Sequence, residues 1–162
     1  MGALTQLSLI IFFGAISSVV SWPSGAPESV CNSLTPSHGE SQARGADQSP
    51  YNLVQSHQDY NGGDRIKVTL NAPQGYSFRG LIVQAYDPHT NAVIGKFEAG
   101  KGLKTIDSCS AVTHTDRRGK RSATLVWTAP NSGRGNVAFR ATVVQRFSDF
   151  YTNLHSSVNP NN

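Results

Sequence analysis

Four cationic side chains stand within five positions, Arg117-Arg118-Gly119-Lys120-Arg121, with Asp116 beside them. That density sets up a local positive field able to hold phosphates, sulfates or acidic sugars. Arg117, Arg118, Lys120 and Arg121 are therefore the candidate ligand-binding residues, and the ligand they suit is anionic. The plain alternative is a solvated hairpin turn whose charges maintain solubility and discourage pairing at a strand edge. Arg118-Gly119-Lys120-Arg121 also has the form of a dibasic processing site. Cleavage there would separate two expected strands, so its use is not expected.

Catalytic chemistry finds little support. The sequence holds no H-E-x-x-H, no C-x-x-C and no G-x-S-x-G, and no glycine loop for phosphate leads into a helix. The five histidines, His38, His57, His89, His114 and His155, are scattered through separate segments. None pairs with another His or a carboxylate at a metal-ligand spacing on one element, so no metal and no cofactor is expected. His114 reads as a structural histidine bonded to backbone. No Asn-x-Ser/Thr sequon occurs. Nucleic acid is not an expected partner, because the basic cluster is small and the chain carries an export signal.

That signal occupies residues 1–21. The run LSLIIFFGAI at 7–16 is about half the length a membrane span requires and suits the apolar core of a signal peptide. Val19 and Ser21 fit cleavage before Trp22. A secreted, extracellular product follows, with no membrane span once the signal is removed. The remaining residues, 22–162, approximate one domain and carry the whole net charge of +4, since 1–21 contain no charged side chain. Both cysteines, Cys31 and Cys109, lie after the signal. An even pair in an oxidising compartment suggests one intramolecular bridge, while two free thiols or an intermolecular bond remain open.

The elements that would position these residues read as strands. Residues 22–50 are rich in Pro, Gly and Ser, with almost no large apolar side chains, and read as an extended arm laid across a sheet. Beyond Tyr51 the pattern turns to period two. DRIKVTL at 64–70 sets Ile66, Val68 and Leu70 against Arg65, Lys67 and Thr69. FRGLIVQAY at 78–86 turns Leu81, Val83 and Ala85 inward, with Ile82 and Tyr86 on the other face. Further strands are expected at 92–99, 110–115, 122–129 and 135–147, with 116–121 as a hairpin tip. No segment sustains a helical apolar stripe. Short strands at about ten-residue spacing predict an all-β sandwich.

The chain also resembles the reeler (reelin N-terminal) domain, in particular its short secreted insect defence members. Cys31 is followed by Thr35-Pro36-Ser37-His38-Gly39, then Gly63-Asp64-Arg65-Ile66-Lys67-Val68 and Phe78-Arg79-Gly80-Leu81-Ile82-Val83-Gln84-Ala85. Gly95-Lys96-Phe97 comes next, then Cys109, Ala111-Val112-Thr113-His114, Lys120 and Trp127-Thr128-Ala129-Pro130. The match closes on residues 135–144, GNVAFRATVV. After Val144 the tryptophan common in relatives is missing. The resemblance implies an immunoglobulin-like β-sandwich and supports a Cys31–Cys109 bridge. Other carriers place the domain ahead of a haem-binding or membrane reductase region; this sequence stops after one domain, so that redox function is not expected to transfer.

The short relatives imply innate immunity, through recognition of microbial surface polysaccharide or lipopolysaccharide or through antimicrobial action. On that reading Tyr51, Tyr60 or Tyr76 would stack on sugars from loops. An adhesive extracellular module without a microbial ligand is the alternative. No catalytic or ligand residue is carried over from the family.

Overall fold

The computed structural model describes residues 24–36 and 41–159. The expected signal peptide, Trp22 and residues 37–39 of the first family motif lie outside them. The strands are β1 (Ala43–Arg44), β2 (Asn52–Gln55), β3 (Asp59–Asn61), β4 (Arg65–Asn71), β5 (Gly80–Tyr86), β6 (Lys96–Phe97) and β7 (Leu103–Ile106). They continue as β8 (Ala111–His114), β9 (Ser122–Thr128), β10 (Arg134–Asn136), β11 (Ala138–Arg146), β12 (Asp149–His155) and β13 (Ser157–Val158). One sheet runs β1-β12-β11-β5-β8-β7 and the other β13-β2-β4-β9-β6, with a small β10-β3 ribbon beside them.

These two sheets enclose one core, and the chain is an immunoglobulin-like β-sandwich. Ile66, Val68 and Leu70 of β4 and Leu125 and Trp127 of β9 face Leu81 and Val83 of β5, Val112 of β8 and Phe139 and Val143 of β11. Alternation produces this: on β4 and β9 every second side chain is buried and the intervening ones meet solvent. Trp127 sits at the centre, fully buried, with Phe139 and Tyr60 edge-on to its ring. Its indole N–H donates to the Ile94 carbonyl at 2.9 Å, which satisfies the one polar atom a buried Trp carries. The indole edge needs space that only glycine leaves: a Cβ on Gly95 would stand 2.3 Å from the ring, and Gly95 has φ +64°.

The N-terminal segment covers the outside of the six-stranded sheet. It is less extended than its composition suggests, with 3-10 turns at Glu28–Val30 and Ala46–Gln48. The Leu34 N–H donates to the Val30 carbonyl at 2.7 Å, and both side chains then reach the sheet. They join Ile82, Ile106 and Ala111 in a second apolar cluster. The Ala26 N–H donates to Thr113 Oγ1 at 3.0 Å. Cys31 and Cys109, 78 residues apart in sequence, form a disulfide beside this cluster with Cα atoms 5.9 Å apart.

One expectation is corrected here. Residues 116–121 are not a hairpin tip, because β8 belongs to the six-stranded sheet and β9 to the five-stranded one. Val112 and Trp127 both point into the core, from opposite layers. The connection between their strands therefore crosses the end of the sandwich.

Candidate functional site

The crossing connection brings together cations from two places in the chain. In the β7–β8 pairing Leu103 lies opposite His114, and the Thr115 N–H donates to the Gly102 carbonyl at 2.9 Å. Lys101 thereby comes alongside the residues that follow β8. The far end of the connection is anchored at Lys120, whose backbone N–H and C=O exchange bonds of 2.8 and 2.9 Å with fully buried Phe78. A groove of about 440 Å³ opens between these arms, bordered by Lys101, Leu103, Asp116, Arg118, Lys120 and Thr124.

Asp116 organises the charges. Its carboxylate accepts from Arg118 Nη2 at 3.0 Å, from Lys120 Nζ at 2.9 Å and from the Arg118 backbone N–H at 2.9 Å. The Lys120 ammonium also donates to the Asp116 and Arg118 carbonyls, at 2.9 and 3.0 Å. The Arg118 side chain, then that of Lys120, holds the Asp116 carboxyl well below the usual carboxylate range. Three cations and one carboxylate thus border the groove, and only Arg118 and Lys120 pair with that carboxylate, which leaves a positive surplus beside a strand edge. Neighbouring His114 Nδ1 lies 3.2 Å from both the N–H and the C=O of Leu81. Burial of its ring lowers its pKa.

Of the four candidates, Arg118 and Lys120 line this groove; Arg117 and Arg121 are exposed but do not border it. Lys101 was missed by sequence reading. Its signal is slight, a lone lysine between Gly100 and Gly102, fifteen or more positions before the cluster it joins. Ser122 and Thr124 also contribute, as exposed polar residues at the start of β9.

The expected sugar-stacking tyrosines need correction. Tyr51 is buried in the core, edge-on to Phe78 and Tyr151, with its hydroxyl donating to the Ser77 carbonyl at 2.8 Å. Burial, with Tyr151 next, pushes its phenol up to about 12. Tyr60 packs on Trp127 at 5.4 Å between centroids. Tyr76 alone of the three is exposed. Aromatic side chains followed by polar ones look alike in sequence whether they point in or out.

The arrangement offers electrostatic attraction and hydrogen-bond donors. Among the described residues no group of three or more His, Cys, Asp or Glu is placed to hold a metal ion. No helix among them is long and apolar enough to cross a membrane.

Comparison with known proteins adds three kinds of relative. The family model for the Reeler domain matches residues 29–161. A putative ferric-chelate reductase 1 of Danio rerio is 34% identical over 158 residues, which are 94% of this chain and 27% of that protein. The chain thus spans about a quarter of that relative's length. Putative defense protein 3 of Antheraea mylitta is 29% identical over 156 residues, 92% of either chain. In three dimensions the human F-spondin reeler domain superimposes with a TM-score of 0.59 at 24% identity, over 72% of this chain and 91% of that one.

Proposed function

Because this chain belongs to the reeler domain family, we propose that it is a secreted defence protein that binds anionic polymers of microbial surfaces and catalyses no reaction. The observation that carries this reading is the alignment with the Antheraea mylitta defence protein along 92% of both chains. The reductases share only the reeler portion, 27% of the Danio rerio protein, so their name describes a much larger molecule. Within this chain the groove of Lys101, Arg118 and Lys120 supplies the binding surface. A disulfide between Cys31 and Cys109 suits export to an oxidising compartment.

Retention of the signal-free protein on intact bacteria, fungal wall and host matrix, compared across salt concentrations, tests the proposal. Retention on the microbial materials should fall as salt screens the groove. Neutralising Lys101, Arg118 and Lys120 together should lower it about tenfold or more at low salt. Neutralising Arg117 and Arg121 should change it less than twofold. Capture by host matrix alone would replace this reading with the adhesive one.

A further inference from the structure

On the outer face of the six-stranded sheet, β11 and β12 meet the N-terminal segment around a separate cavity of about 210 Å³. Asn32 and Ser33 of that segment, Asn91 after β5, Arg140 of β11 and Asn153 of β12 line it, and it shares no residue with the groove. No Asp or Glu is in its wall.

Arg140 is held from three directions. Its Nε donates to Oε1 of buried Gln84 at 2.8 Å and its Nη1 to Asn91 Oδ1 at 2.9 Å. Its guanidinium carbon lies 4.8 Å from the centroid of the Tyr86 ring. Gln84 is fixed in turn, donating from Nε2 to the Cys109 carbonyl at 3.0 Å. Among the described residues no carboxylate pairs with Arg140, and its Nη2 has no acceptor. A guanidinium already immobilised has surrendered the rotamer freedom that binding normally costs. Its planar fork of donors matches a carboxylate.

The backbone points to the same place. Non-glycine residues at positive φ are uncommon, and three of the four described, Leu34, Asn91 and Asn153, line this cavity. Asn tolerates that conformation, whereas Leu at φ +50° is strained. Strained backbone gathers at ligand sites, where the surroundings enforce it.

We infer that this cavity binds an acidic monosaccharide unit, its carboxylate on Arg140 and its hydroxyls on the surrounding asparagine amides. Amides both donate and accept, as ring hydroxyls require. The volume falls below the roughly 300–1,000 Å³ of drug-sized pockets and suits one ring. Peptide carboxylates fit less well, since Leu34 and Ala141 are the main apolar residues in the wall.

Titration of the isotope-labelled, disulfide-intact protein with glucuronate, glucose and acetate, followed by amide resonances, tests this. Glucuronate should shift the amides of Ser33, Asn91 and Thr142 saturably, with glucose and acetate each at least tenfold weaker. Arg140→Lys, which keeps the charge and loses the fork, should abolish saturation. Asn32→Asp, on an exposed residue with no hydrogen-bond partner among the described ones, should weaken glucuronate at least tenfold with the urea midpoint unchanged. Equal shifts from acetate or glucose, or an Asn32→Asp protein that binds glucuronate like the parent, would overturn the assignment. Wall retention reads the groove and this titration reads the cavity, so either proposal can fail alone.

Discussion

At Asp116 one carboxylate serves Arg118 and Lys120 together, so part of the groove's positive charge is already answered from within. Asp116→Asn should therefore raise retention on anionic surfaces at low salt and steepen its salt dependence, while amide exchange across 116–120 quickens. The folded pKa of this carboxyl is depressed. Its contribution to stability is complete above the unfolded value of about 3.9 and is lost as pH falls through the lower folded one. His114 carries a depressed pKa too, with burial as the main cause. Its stabilising share is complete above about 6.5, the unfolded value, and declines as pH falls through the folded value. Thermal midpoints measured from pH 8 to about 2 should thus begin to fall below about pH 6.5 in the parent. His114→Gln should flatten that limb and keep the acid limb of Asp116. An unchanged slope would show that His114 does not govern it.

The elements differ in how openly the sequence displays them. Ile66, Val68 and Leu70 on β4 and Leu125 and Trp127 on β9 alternate with exposed residues, so a single buried face is visible in the letters. β5 is buried on both sides because the N-terminal segment covers Ile82, which blurs its alternation. β12 shows no clean alternation: adjacent Phe150 and Tyr151 are both buried, and the pairing with β11 slips twice. Only Lys96–Phe97 of the strand expected at 92–99 remains, because Gly95 turns the chain around the indole of Trp127. The basic run was legible as charge but not as a connection between layers, and Lys101 joined it only through the β7–β8 register. Gly95→Ala should cost about 2–4 kcal/mol, combining a strained φ with a steric clash in the core. Gly133→Ala has φ +92° and open space around the new Cβ, and should cost only about 1 kcal/mol. Urea midpoints of the two proteins separate steric from backbone effects.

For the molecule as a whole, the disulfide ties the N-terminal cover to the sandwich. Replacing Cys31 and Cys109 with Ser should lower stability by up to about 4–5 kcal/mol, the loop-closure estimate for a bridge of this span. It should also open 24–36 to proteolysis ahead of the sandwich and uncover Ile82 to apolar dyes. If limited digestion cuts the sandwich first, this segment is held by its apolar contacts alone.

Three of the four lateral edges of the two large sheets end in two-residue strands, β1, β6 and β13. Where β9 runs on past β6, groove residues Lys101, Arg118 and Lys120 lie nearby. A growing fibril needs several consecutive unsatisfied amides to copy, and stubs this short cannot supply them. Those three edges therefore give a second copy of the chain little backbone to pair with.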